Sequence, residues 1–412
     1  MKKLRKATPR SSIGGWRAAP DRPDPLAILA DQERDRIPEL LPIRHERMRA
    51  SAFAFYRGGA AIMAADLARI PTTGLTVQLC GDAHIANFGI FATPERNVIF
   101  DVNDFDETLP GPWEWDLMRL CASLPLAMRA RGFRSRAIDR AVFATVKSYQ
   151  DWTRRYGRSS PLDTWYARID VAWLADRTSR YSGDWRVALH RATSRSLPER
   201  FSDSSTFFRR IGAEEPQAVR ARKAMVEYAE SLVPSVRVLL NRYHLADVAV
   251  KVVGVGSVGT HCYVALLLSE ERDVLVLQLK EAQASVLESH LPKSIFPNHA
   301  ERVVNGTRLM QAASDIFLGW AQFQNRDFYV RQLRDTKGAI DLERIDAAEY
   351  AQYGAHCGWT LARAHARSGD PACIAEYLGR GDAFAEGIVE FAGAYADQVE
   401  RDYEAFLKTV PA

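Results

Sequence analysis

The chain has 412 residues, 47% of them hydrophobic and 26% charged, the composition of a globular protein rather than a disordered or fibrous one. That length allows about two or three lobes with a core that needs no metal or disulfide staples. A formal net charge of +4 is too small for a protein that works by neutralising nucleic-acid phosphates, so no nucleic-acid partner is expected. The five cysteines are scattered and show no CxxC spacing, which favours free thiols over a disulfide framework or a zinc site. No stretch approaches roughly 18 apolar residues and the basic N-terminus has no apolar core, so a cytoplasmic protein without a membrane partner is expected.

In chain order, residues 1–43 carry Pro9, Pro20, Pro23, Pro25, Pro38 and Pro42 among basic and small residues, and read as a mobile arm with one short helix. A helix is predicted from Arg44 to about Ala68, with Ala61, Met63, Ala64 and Leu67 on one face. LTVQLCGDAHIANFGIF and NVIFDVNDFDE read as short strands whose polar residues fall at strand ends, where sites are built. Residues 114–156 and 216–245 have the spacing of amphipathic helices, and 157–215 shows no period. From Asp247 the pattern is strand, glycine turn, strand, charged hairpin, strand. A helix near 298–314, a strand at DFYVRQL and helices from Glu349 onward complete the chain.

The chemistry concentrates in two places. In GDAHIAN, Asp82 precedes Asn87, and downstream Asp101, Asp104, Asp106 and Glu107 crowd together. Such carboxylates repel unless they are solvated or neutralised by a divalent cation, and hard oxygen ligands suit Mg²⁺. Phosphoryl transfer needs one carboxylate to orient the acceptor hydroxyl and carboxylate plus amide oxygens to hold the metal. Asp82, Asn87 and Asp104 can supply those parts, although the same residue types also populate tight turns. His84 reads as a neighbour that orients the loop, and Asp116 as a helix cap or brace of it. Arg57 reads equally as a phosphate clamp and as a partner stacked on its aromatic neighbours.

The second place is GVGSVG, where Gly254, Gly256, Ser257 and Gly259 fit GxGxxG. The strand-like THCYVALLL that follows favours a β-hairpin flap over nucleotide phosphates rather than a dinucleotide-binding turn that opens a helix. Lys280 ends the third strand, where an ammonium can reach the α and β phosphates of ATP. A buried ammonium needs an anionic partner, and Glu288 and Glu301 are both candidates.

CGDAHIANFG resembles the catalytic loop of aminoglycoside and choline phosphotransferases, and NDFDETLPGPWEWDL their metal-binding segment. GVGSVG with LQLKEA resembles the glycine loop and third-strand lysine of a kinase small lobe. The resemblance implies Asp82 as catalytic base, Asn87 and Asp104 as Mg²⁺ ligands with Asp106 in the same cluster, and Lys280 as the phosphate-binding lysine. Asp116 matches the later Asp that starts a helix in those enzymes, and Asp104 is preferred to Asp101 because its twelve-residue spacing to Asp116 resembles the family's, which leaves Asp101 beside the metal or substrate. RMxxSxFAFYRG, KVVGVGSVGT, RQLRDTKG and CGWTLARAHARSGD also make nearly the whole chain resemble a bacterial family known as domain of unknown function 2252.

Two departures stand out. The catalytic loop precedes the glycine loop, the reverse of ordinary kinases, and Cys80 stands where the usual triplet has histidine. The expected fold is therefore α+β, a protein-kinase-like two-lobe fold, circularly permuted and with additional helices. Residues 44–156 would carry the catalytic and metal-binding part of the large lobe, 157–245 a helical connector, 246–335 the small lobe and 336–412 the helical part of the large lobe. The expected activity is ATP- and Mg²⁺-dependent phosphotransfer to a hydroxyl. The alternatives are a nucleotide-binding pseudokinase, a nucleotidyl transferase and a dinucleotide-binding oxidoreductase.

Overall fold

The computed structural model describes residues 2–172, 208–210, 215–251, 256, 258–271, 273–323, 325–333, 337–338 and 340–410. The N-terminal helices are α1 (Lys2–Ala7), α2 (Pro25–Glu33), α3 (Leu41–Arg49), α4 (Ala52–Gly58) and α5 (Ala60–Leu67), with a 3₁₀ turn at Ser12–Gly15. Proline shapes this region without freeing it: Asp24 caps α2 by accepting from Leu26 N at 3.0 Å, with Pro25 at the first helical position. The single helix predicted over 44–68 is broken into separate turns, because Ser51 caps α4 by accepting from Ala54 N and Gly59 separates α4 from α5.

Instead of forming a free arm, the first residues lie on the C-terminal helix. The Trp16 ring is 4.9 Å from Tyr395 and 5.8 Å from Phe391. Arg22 forks between two buried carboxylates, Asp66 at 2.7 Å and Asp402 at 2.8 Å. These partners are 44 and 380 residues away, so no local pattern announces the packing.

Next come β1 (Thr76–Leu79), β2 (Phe88–Ala92), β3 (Val98–Val102) and β4 (Leu109–Pro112), then α6 (Trp113–Ala130), α7 (Ser135–Tyr156) and α8 (Pro161–Tyr166). β1 pairs with β4 and β2 with β3, each antiparallel, so the β1–β2 and β3–β4 connections meet at one end. Asp101 on β3 is fully buried and bound to Arg363 at 2.6 Å, and it also accepts from Val102 N and Ala312 N. Its carboxylate is used to tie the small sheet to the helices.

The largest sheet comprises β5 (Phe208–Arg210), β6 (Tyr243–Lys251), β7 (Cys262–Ser269), β8 (Val274–Ala282), β9 (Gly319–Phe323) and β10 (Arg326–Gln332). Its order is β5-β6-β7-β8-β10-β9, with antiparallel neighbours throughout. β6 begins at Tyr243, inside the stretch predicted as helix. The helices α9 (Pro216–Ser231) and α10 (Pro234–Leu240) precede it. Tyr228 of α9 is buried in the cluster with Leu277, Leu279 and Val330, and donates to Phe317 O at 2.6 Å. Burying a large apolar side chain there contributes about 1.5–3 kcal/mol. Helix α11 (His299–Met310) packs on β8, β9 and β10, and the short β11 (Lys337–Gly338) pairs with β2.

The chain ends in α12 (Ala347–Ala366), α13 (Pro371–Leu378) and α14 (Ala383–Thr409). α12 lies close along α7 because Gly354 and Gly358 face Thr145, where an added Cβ would come within 2.3 Å of Thr145 Oγ1 and Thr145 O respectively. Trp152 and Trp359 stack across the same contact at 3.9 Å. The architecture is mixed α+β with small sheets. Among the described residues no helix is long and apolar enough to cross a membrane.

Candidate functional site

The connection after β1 is built as a braced loop. Asp116, buried in the first turn of α6, accepts from Cys80 N at 2.7 Å and Gly81 N at 3.0 Å. His365 Nε2 lies 3.3 Å from the same carboxylate, and its Nδ1 is 2.9 Å from Tyr149 Oη. Gly81 has φ +85°, and a Cβ there would sit 2.2 Å from Glu107 O. Only glycine lets the Asp82 loop and the acidic loop approach this closely.

Asp82 Oδ1 accepts from Arg119 Nε at 2.8 Å. Arg119 lies over the Tyr56 ring at 3.8 Å and donates to Tyr56 O, so the carboxylate's orientation is fixed by a cation that is itself held. Asp82 Oδ2 has His84 Nε2 at 3.7 Å, beyond hydrogen-bond reach. Burial, then the Arg57 and Arg119 charges, hold His84 well below its ordinary pKa, which keeps the imidazole neutral. Asn87 Nδ2 donates to Asp82 O at 2.6 Å, which leaves the amide oxygen of the side chain as an acceptor. Arg57 Cζ is 5.9 Å from the Phe53 ring centroid. Burial lowers the Arg57 pKa while Asp82 and Asp104 oppose the shift, so its charge lies within range of both carboxylates.

Lys280 joins this loop from the large sheet. It is 3% exposed, it pairs with Asp106, and Asp104 Oδ2 lies 4.0 Å from Nζ. Tyr329 stands directly opposite Lys280 in the β8–β10 register and donates to Asp106 Oδ1 at 2.8 Å. Burial alone would lower the lysine pKa, but Asp104 and Asp106 raise it well above its ordinary value. Asp106 is likewise pulled down to about 2, the Lys280 charge and its hydrogen bond outweighing desolvation. Asp104 shifts the other way, raised first by desolvation and then by the Asp106 charge.

The lysine's carboxylate partner is thus neither Glu288 nor Glu301. Glu288 lies 3.9 Å from Arg302 Nε, and Arg302 reaches into the acidic loop to donate to Thr108 O and Asp106 O. Both Asp106 oxygens accept from side-chain donors, Lys280 and Tyr329, whereas Asp104, its side chain 36% exposed, accepts the Asp106 N–H on Oδ1 at 3.3 Å and has Oδ2 4.0 Å from Lys280 Nζ.

Of the glycine motif, Gly254 and Ser257 lie outside the described residues. Gly256 and Gly259 are held by the N-terminal segment: Arg36 Nη2 and Arg44 Nη1 donate to Gly256 O at 2.9 and 3.2 Å, and Ile37 N donates to Gly259 O at 2.8 Å. Gly259 has φ +95° and leads into the strand β7. A helix N-terminus facing a pyrophosphate is therefore not formed at Gly259.

A family model described as "Uncharacterized protein conserved in bacteria (DUF2252)" matches residues 36–409. The chain belongs to that family. No curated protein and no solved structure matches it. The family's description names no activity, so the chemistry rests on the residues.

Sequence reasoning missed several residues of this family member's site: Arg119, Arg302, Tyr329, Arg36 and Arg44. Arg119 had a signal, since it follows Asp116 by three residues and so shares its face of α6. Tyr329 becomes visible only once β10 is placed against β8. The arginines of the N-terminal segment had no such signal.

The donor set fits Mg²⁺. Asp104, 4.0 Å from Lys280 Nζ, and the side-chain oxygen of Asn87 on the Asp82 loop are both hard oxygen donors. Among the described residues no three His, Cys, Asp or Glu side chains form a metal-holding group by themselves. A protein that offers one or two carboxylates and leaves the remaining positions to water and phosphate is the usual arrangement for this ion.

Proposed function

We propose that the chain is an ATP- and Mg²⁺-dependent phosphotransferase with a circularly permuted, kinase-like cleft. The observation that carries this reading is the meeting of Lys280 with Asp104 and Asp106. These residues come from motifs about 175 residues apart, as the separation of 174 positions between Lys280 and Asp106 records. In this reading the six-stranded sheet with α11 is the small lobe, and the helices around α6, α7 and α12 are the large lobe.

Asp104 and the Asn87 side-chain oxygen would hold Mg²⁺, which when bound neutralises charge on the phosphates. Lys280 binds phosphate oxygens and exchanges part of its pairing with Asp106 for them. Asp82 receives the acceptor hydroxyl's proton on Oδ2, while Arg119 keeps Oδ1 fixed. Asp116 maintains the loop geometry through the Cys80 and Gly81 amides. The strand after Gly259 disfavours the dinucleotide-binding alternative.

Release or transfer of label from γ-labelled ATP tests the reading. Asp82→Asn is expected to lower turnover by about 100-fold or more with nucleotide binding retained, and Lys280→Met to weaken both. Equal turnover in wild type and both variants contradicts the assignment. Binding with no turnover in any protein supports the pseudokinase instead, and label on the product from adenine rather than γ-phosphate supports nucleotidyl transfer.

A further inference from the structure

A cavity of about 320 Å³ lies between the N-terminal segment and the start of α6, bounded also by the Arg69–Thr72 loop and the beginning of α14. It is large enough for a small organic ligand. Glu114 and Asp116 are two residues apart on α6 and so project roughly 160° from one another around the helix axis. Asp116 holds the Asp82 loop, whereas Glu114 forms part of the wall of this separate cavity.

Glu114 is 8% exposed. Its Oε1 accepts from Thr73 N at 2.7 Å, and its Oε2 is buried with no partner among the described residues. The cavity's arginines are engaged elsewhere: Arg10 donates to Leu378 O at 2.8 Å, Arg17 to Trp16 O at 2.5 Å, and Arg69 pairs with Asp21. Burial accordingly pushes the Glu114 carboxyl above its ordinary range. A buried carboxylate oxygen without a donor is costly, and a cationic donor restores the balance. Trp16, Trp115, Tyr377 and Phe384 line the cavity, and aromatic surfaces favour both apolar groups and ammonium cations.

We propose that this cavity binds a small organic amine, with the ammonium group on Glu114 and the apolar body among Trp16, Trp115, Tyr377 and Phe384. The proposal is independent of the phosphotransferase reading, because Glu114 takes no part in the Asp82 and Lys280 cluster.

The test is calorimetric titration of the full chain with phenethylamine as the probe and 2-phenylethanol as its uncharged counterpart. Glu114→Gln retains an acceptor for Thr73 N and removes the charge, and Thr72→Trp fills the cavity from a partly buried loop position while leaving Glu114 in place. Saturable phenethylamine binding is expected, at least tenfold weaker in Glu114→Gln, abolished in Thr72→Trp, and at least tenfold tighter than 2-phenylethanol. Absence of saturable binding to the wild type, unchanged affinity in either folded variant, or equal binding of the alcohol overturns the proposal.

Discussion

Lys280 and Asp106 form a pair whose members cannot be considered singly. An ammonium 3% exposed would lose much of its charge to desolvation, and the carboxylates from the acidic loop reverse that tendency. The consequence appears on the carboxylate side as pH dependence. The Asp106 pKa is lowered in the folded chain from 3.8 to about 2. A depressed carboxylate pKa contributes stability that is fully present above the unfolded value and is lost as pH falls through the folded one. The stability difference between wild type and Asp106→Asn, read from urea midpoints, should therefore be full near about pH 5 and shrink between about pH 4 and pH 2. A difference that grows on acidification contradicts this pairing.

At the scale of elements, α6 and the N-terminal segment position the Asp82 loop and the glycine turn. α6 presents Asp116 and Arg119 to the Asp82 loop, so a single rigid helix fixes both the backbone and the carboxylate of that loop. The N-terminal segment is tied down by Arg22 on Asp66 and Asp402, and its continuation holds Gly256 and Gly259 through Arg36, Arg44 and Ile37. Arg22→Ala leaves two buried carboxylates without their shared cation, a change that costs about 3–5 kcal/mol. Urea denaturation should show that loss, and limited proteolysis should open the chain first ahead of α3. Unchanged stability and protease resistance in Arg22→Ala would mean that the segment is not anchored there. Proline content misled the sequence reading because Pro25 begins a capped helix, and a charge fork to distant residues supplies the attachment.

For the molecule as a whole, the readable features were those with a short period or a compact spacing. The strands on both sides of the glycine turn, the long helices α6, α7 and α12, and the two polar clusters all announce themselves within about twenty residues. Features set by long-range pairing did not. The partner of Lys280 came from the acidic loop rather than from a nearby helix, because strand register and contacts between segments far apart in sequence decide which carboxylate reaches it. Asp101 looked like its neighbours in sequence, yet it is buried against Arg363. The break between α3 and α4 lay in the Ser51 cap and that between α4 and α5 in Gly59, and both outweigh the helical spacing around them. Much of the stretch from 157 to 215 lies outside the described residues.

In the proposed function Lys280 and Asp104 serve one nucleotide site. Its most direct test is the melting temperature of the full chain with ATP, with and without Mg²⁺, in wild type, Asp104→Ala and Lys280→Met. Ligand at 100 times its dissociation constant stabilises by about 2.7 kcal/mol, enough to shift the transition measurably. A Mg²⁺-dependent shift with ATP is expected in the wild type, reduced in both variants. No shift with ATP in the wild type, or the same shift in all three proteins, would contradict it.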